Sequence, residues 1–198
     1  MILNTLNKFL SISISVVLVA WFVFQAITTN VYYKGRFDDK QKDYASSISA
    51  YKSIYYKGMN TFNNAGLSYA LLIARNYLKV DSLELAELYF KKSLCDLPSC
   101  RQCYFEYANF LFKQGRYEEA IVYSKTAYKF NNSFIFLINL SAKLALNTGD
   151  VELAKFYVDR LDEVATRTSI PAYLDMVTRR EKELYNILND IPFNKEGL

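Results

Sequence analysis

A small residue recurs along this chain at a spacing of 34. Ala74, Ala108 and Ala142 form one series, and Ala86, Ala120 and Ala154 a second. The middle copy, Arg101 to Asn132, reads RQCYFEYANFLFKQGRYEEAIVYSKTAYKFNN. Its first half places Tyr104, Tyr107, Ala108 and Leu111 at helical spacing, and its second half does so with Ala120, Tyr123, Ala127 and Tyr128. Gln114-Gly115-Arg116 separates the halves as a tight turn, and the turn position repeats as Asp81, Gly115 and Gly149. A pair of short amphipathic helices cannot bury its apolar faces alone, so copies of it must stack on one another. With Gly 6 and Pro 3, the composition also opposes a turn-dense β architecture.

The period and the residues that carry it resemble the tetratricopeptide repeat (TPR) family, whose unit is a 34-residue helix-turn-helix. LELAELYFKKSLCDLP (Leu83 to Pro98) is similar to a family second helix, with its small residue at Ala86, an aromatic at Phe90 and a closing Pro98. EEAIVYSKTAYKFNN (Glu118 to Asn132) and ELAKFYVDRLDEVA (Glu152 to Ala165) resemble it in turn. The resemblance covers roughly Leu67 to Thr168, with repeats at 67–100, 101–134 and 135–168. Ser124 stands where the family has a large residue, Leu161 where it has a small one, and the first helices lack the family's tryptophan. The resemblance implies an all-α chain built as a short α-solenoid of about three hairpins with capping helices at both ends. It also implies a protein that binds peptides or other proteins and performs no catalysis.

Ahead of the repeats lies a stretch of another kind. From Phe9 to Ile27 the chain runs 19 residues without a charge, FLSISISVVLVAWFVFQAI. As a helix this is about 28 Å long, against a bilayer core of about 30 Å. Tyr32 and Tyr33 fall where an interfacial aromatic belt would lie. The run is longer than the apolar part of a signal peptide, and Gln25-Ala26-Ile27-Thr28 lacks a small-x-small cleavage pattern. The expected element is a transmembrane anchor over residues 1–30 that meets lipid through residues 9–27. A cleaved signal and a buried core helix are the competing readings. Cues to orientation conflict. Lys34, Arg36, Lys40 and Lys42 follow the span, and by the positive-inside rule they hold the carboxyl side in the cytoplasm. The short amino end suits a signal-anchor with the repeats exported. The expectation adopted is a bacterial inner-membrane protein with its repeats in the periplasm.

Residues 31–66 read as a juxtamembrane segment and a leading helix. Tyr44, Ile48, Tyr51 and Tyr55 make an apolar stripe on a helix from about Asp38 to Lys57, ending at Gly58 and Asn60 to Asn64. That stripe is expected to pack on the first repeat as a cap, in preference to serving as a ligand surface. At the other end, residues 169–198 hold a capping helix that starts at Pro171 with Ser169 as its cap. Its stripe is Tyr173, Val177, Leu184, Leu188 and Ile191, and Pro192 closes it.

In the TPR family the first helix of each pair lines a concave groove. On this sequence the groove positions include Leu71, Arg75, Lys79, Phe105, Asn109, Phe112, Lys113, Phe136, Asn139 and Lys143, with no acidic side chain among them. The family's chaperone-binding members hold a terminal carboxylate with lysine, asparagine and arginine. Here those positions carry Leu71, Arg75, Glu106, Phe136 and Leu140, so that clamp is absent. An extended peptide with acidic and apolar side chains suits the remaining surface.

No histidine occurs, which removes imidazole bases, Ser-His-Asp arrangements and histidine metal ligands. A net charge of +4 is too small and scattered for nucleic-acid binding. Cys95, Cys100 and Cys103 lack the fourth ligand of a zinc site, and no strand precedes them as in a redox C-x-x-C motif. Two readings remain: a disulfide from Cys95 to Cys100 or Cys103 if the domain is exported, or three buried fillers. No cofactor is expected. The expected function is a membrane-tethered adaptor or assembly factor. The alternative is a permanent accessory subunit of a larger membrane complex.

Overall fold

The structure is a computed structural model that describes residues 2–55 and 68–189, with side chains described from residue 14 onward. The expected helix end at Gly58 to Asn64, the start of the first repeat at Leu67 and the tail from Pro192 lie outside the described residues. Among the described residues the chain forms nine α-helices and no strand: α1 (Ile2–Lys40), α2 (Tyr44–Tyr55), α3 (Tyr69–Lys79), α4 (Leu83–Asp96), α5 (Arg101–Lys113), α6 (Tyr117–Phe130), α7 (Ile135–Thr148), α8 (Val151–Thr168) and α9 (Pro171–Leu188). The fold is an all-α solenoid of TPR-type hairpins preceded by one long apolar helix.

The 34-residue period has a physical cause at two places in each hairpin. Helices α3 and α4, α5 and α6, and α7 and α8 pack as pairs. Ala74, Ala86, Ala108, Ala120, Ala142 and Ala154 are all 0% exposed. A larger side chain at any of these filled sites would overpack it, at a cost of about 1–3 kcal/mol. The turns are equally regular. Asp81, Gly115 and Gly149 have φ of 56°, 73° and 74°. The N–H groups of Ser82, Arg116 and Asp150 bond to the carbonyls of Tyr77, Leu111 and Ala145 at 2.9, 3.0 and 3.0 Å. Those of Asp81, Gly115 and Gly149 bond to Leu78, Phe112 and Leu146 at 3.2, 3.0 and 3.3 Å. Both bonds together make a Schellman cap, which closes the first helix through one left-handed residue. The next helix starts at once, because Ala86, Ala120 and Ala154 donate to the carbonyls of Ser82, Arg116 and Asp150.

The chain divides into two compact units, Met1–Asp96 and Leu97–Leu198. In the first, α1 and α2 pack as a further hairpin, and α2 packs on α3. The polar stretch after the apolar run is thus no separate stalk. Helix α1 continues through it to Lys40, and the amphipathic helix expected from Asp38 begins at Tyr44 instead. The break lies at Lys42, whose φ is 64°. Along α1 the buried or half-buried positions are Phe24, Gln25, Thr28, Thr29, Val31, Tyr32, Gly35, Asp38 and Asp39, a stripe at helical spacing that faces α2 and touches α3 through Tyr32 and Asp39. Before it, residues 14–23 are exposed all round, as on a helix that meets no protein. This helix is long and apolar enough to cross a membrane.

Helices α1, α2 and α3 interlock through tyrosines and one polar chain. The rings of Tyr32, Tyr51 and Tyr69 lie with centroids 6.3–6.4 Å apart. The Ser47 hydroxyl donates to the Gly35 carbonyl at 2.8 Å, and Asn76 Nδ2 donates to Ser47 Oγ at 3.0 Å. Burial, with Tyr32 nearby, pushes the Tyr51 hydroxyl well above the ordinary tyrosine range. Ile48 and Tyr51 are buried and Tyr55 is half-buried, so the leading tyrosine stripe is core and no ligand surface.

In the second unit α6 packs on α7, and α9 covers α7 and α8. Ile138, Ala142, Ala145, Tyr157, Leu161, Val177 and Leu184 form one apolar cluster.

Three glycine substitutions separate the backbone and steric demands. A Cβ at Gly115 or Gly149 meets nothing within 4 Å. Alanine there should still lower stability by about 1–2 kcal/mol each, the cost of a left-handed L-residue. A Cβ at Gly35 falls 2.7 Å from Tyr51 Cε1. Gly35→Ala should destabilise by about 1–3 kcal/mol, despite a helix-propensity gain of about 1 kcal/mol. Chemical denaturation of the detergent-solubilised chain measures all three.

Candidate partner-binding face

Helices α5, α7 and α9 share one face of the second unit, and an aromatic row runs across it near their amino ends. The ring of Phe105 on α5 meets Phe134 at 5.2 Å, Phe134 meets Phe136 at 5.8 Å, and Phe136 meets Tyr173 on α9 at 6.0 Å. Phe134 is the residue that caps α7, and the Arg101 guanidinium lies 4.8 Å from its ring centroid. Phe136 is 45% exposed, whereas Phe105, Phe134 and Tyr173 are half-buried. The patch that the groove positions Phe105, Phe112 and Phe136 make is therefore small at its surface. Phe105 leans on Phe134, and Phe112 on Tyr117 at 5.5 Å, leaving Phe136 as its one well-exposed ring.

Deeper along the same helices the face becomes ionic. Lys143 on α7 is half-buried, with Nζ 5.7 Å from the Phe112 ring centroid. Burial holds its ammonium below the ordinary lysine range, and the charge of Arg180 adds to this while Glu183 opposes it. Arg180 on α9 is 4% exposed, and its Nη1 donates to the Glu183 carboxylate. Arg180 is lowered by burial, and Glu183 is raised by burial against the pull of Arg180 and Lys143. Desolvation outweighs attraction for both partners, as it does for many buried ion pairs. Arg179, one residue along, is exposed and paired with Asp175. Asn139 and Asn147 stand one turn to either side of Lys143, and each has a buried Oδ1 without a hydrogen-bond partner. Asn109 is half-buried and Lys113 is exposed. At the amino end of α5, Glu106 accepts a hydrogen bond from Gln102 Nε2 at 2.6 Å.

In the first unit the expected groove positions fare differently. Leu71 is 0% exposed, so it belongs to the core and lines no surface. The reason is its place in α3, where every residue from Tyr69 to Ala74 is buried. Arg75 is half-buried. Lys79 is exposed and bound back to its own unit, paired with Asp39 and 5.0 Å from the Tyr44 ring centroid.

The cysteines depart from expectation. The disulfide joins Cys100 to Cys103, and Cys95 is free and exposed. Cys100 caps α5 and its Sγ accepts the Cys103 N–H at 3.1 Å. A separation of three places both sulfurs on one face of the helix start, with Cα atoms 5.3 Å apart, within ordinary disulfide reach. Both are buried, so the bond pins the first turn of α5 and no hairpin to another.

The sequence reading missed Arg180, Glu183 and Tyr173 as parts of this face. One signal was available: Arg180 lies three residues after Val177 and four before Leu184, in line with the apolar stripe of α9. Within the run RREKE it looks like any solvated charge.

No protein-family model matches the sequence, and no curated protein matches it by sequence. Solved structures do match in fold. A MamA protein is 14% identical, with a TM-score of 0.59 over 83% of this chain and 93% of that one. A tetratricopeptide repeat protein from Parabacteroides merdae ATCC 43184 is 13% identical, with a TM-score of 0.65 over 84% of this chain and 66% of that one. YrrB, described as a TPR protein with an unusual peptide-binding site, is 14% identical, with a TM-score of 0.58 over 78% and 74%. At these identities the likeness is one of fold.

Alkylation under denaturing conditions checks the cysteine pairing. Protein purified without reductant should take up a single maleimide, on Cys95, and three after reduction. Uptake on Cys100 or Cys103 before reduction would contradict the pairing.

Proposed function

We infer that this chain, whose fold is that of TPR proteins, binds other proteins. From this starting point, we propose that the chain is a membrane-tethered adaptor or assembly factor. It presents the face of α5, α7 and α9 to an extended peptide or partner segment that carries acidic and apolar side chains. Phe105, Asn109, Phe112, Lys113, Phe136, Asn139 and Lys143 contribute to that face. The observation that carries the reading is the juxtaposition of an exposed aromatic, Phe136, with a half-buried Lys143 and a buried Arg180 on adjacent helices. Apolar side chains of a partner would lie on the aromatic row and an acidic one on the cationic positions.

The tether rests on α1. Its residues 14–23 are apolar apart from Ser15 and exposed all round, which in water would be a costly surface and in lipid is a suitable one. Holding the binding face at a bilayer raises its effective concentration toward membrane partners, so modest affinity suffices. The bacterial inner membrane with the repeats in the periplasm is the placement we propose, consistent with a disulfide at Cys100 and Cys103.

A second reading, a permanent subunit, draws on a separate observation. Val122, Phe130 and Phe156 on α6 and α8 are 48–59% exposed. A stable partner would cover them, whereas the adaptor reading leaves them in solvent.

A photo-crosslinking residue placed at Phe136, and in a control at Val122, separates the two in native membranes. The adaptor reading predicts discrete adducts from position 136, lost when Lys143→Glu is added, and none from 122. Adducts from 122 alone would favour the permanent subunit and overturn the binding face. Alkaline carbonate extraction should leave the chain in the membrane pellet.

A further inference from the structure

Helix α9 closes the second unit, and the stripe it turns inward is Tyr173, Val177, Arg180 and Leu184. A leucine at the third of these positions would complete an apolar cap. An arginine there is costly to desolvate unless an anion accompanies it. The anion present is Glu183, three residues along the same helix, with its side chain 19% exposed. Arg180 Nε is buried and has no hydrogen-bond partner. Lys143 lies on α7, which packs on α9; its charge acts on Glu183, and that of Arg180 acts on it. Arg180 thus pairs directly with the carboxylate, and Lys143 acts on it at longer range from the neighbouring helix. On α7, one turn to either side of Lys143, the buried Oδ1 atoms of Asn139 and Asn147 also lack a hydrogen-bond partner.

On the reading that this face binds an acidic and apolar peptide, we propose that Lys143 and Arg180 form a carboxylate-binding subsite that Glu183 fills in the unliganded chain, and that an acidic side chain of the partner takes its place. Glu183 contacts Arg180 from within its own helix, so a rotamer change frees it without moving the backbone. It acts as an internal competitor: it keeps the buried cations paired when no partner is present and sets a threshold that only an anionic ligand overcomes. A partner with amides in place of carboxylates would leave Glu183 where it is and gain only the aromatic row.

The test uses the full-length chain in detergent micelles and two fluorescent pools of blocked decapeptides. One pool is randomised among aspartate, leucine, phenylalanine and glycine; the other has asparagine in place of aspartate. The wild type should favour the acidic pool about tenfold, as expected for a partly desolvated charge pair. Lys143→Met, which keeps the packed stem, should lose that preference and bind the two pools alike. Glu183→Gln should bind the acidic pool more tightly than the wild type. Thermal denaturation of each variant shows whether it is folded, and if Glu183→Gln is not, Lys143→Met decides. A Glu183→Gln variant that is less stable yet binds no more tightly, or a Lys143→Met variant that keeps the preference, would make the ion pair structural and overturn the subsite alone. Failure of the wild type to bind either pool would overturn the binding face itself, and the subsite with it.

Discussion

The fold depends on how closely two helices can approach within one hairpin. Six alanines, two per repeat, are fully buried in helices that pack as pairs, and a larger side chain at such a filled site brings strain. The reversal that brings the helices together is made by a left-handed residue and two turn hydrogen bonds, repeated at residues 81, 115 and 149. Propensity contributes little here, because helices of 11 to 14 residues are marginal in water when isolated. Their stability comes from being pressed together, which the alanines and turns permit.

The same logic extends past the repeats at both ends. Helix α1 provides a first partner to α2 through a stripe that starts at Phe24, so the apolar helix and the first unit share a packed surface. Gly35 matters there because the Tyr51 ring occupies the space a side chain would take. At the carboxyl end, α9 seals the apolar cluster of α7 and α8 yet admits one arginine into its stripe. A position that packing alone would give to leucine is held by a charge.

Much of this is written plainly in the sequence. The alanine series and the turn positions are legible because sterics allow few residues there, so both survive as a visible period. The buried tyrosine stripe of α2 follows from helical spacing alone. What could not be read is what depends on neighbours distant in sequence. Leu71 has the spacing of an outward residue in α3, but packing around that helix buries it. Phe105 and Phe112 look like exposed aromatics until Phe134 and Tyr117 are placed beside them. Lys79 resembles a free cation until Asp39, some forty residues earlier, pairs with it. The cysteine pairing followed from the local start of α5, which spacing alone left open. The continuity of α1 was hidden by a shift from apolar to charged residues that changes its surroundings and not its backbone.

Helix α1 carries the exposed apolar run and is also a packed part of the first unit. Hydrogen exchange on the full-length chain in lipid vesicles tests this most directly. Amides from Thr28 to Lys40 should exchange as slowly as those of α3, in a single protected block continuous with the span, and Gly35→Ala should speed both together. Rapid exchange over residues 31–40 beside a protected α3 would mean a flexible stalk, and would contradict the account.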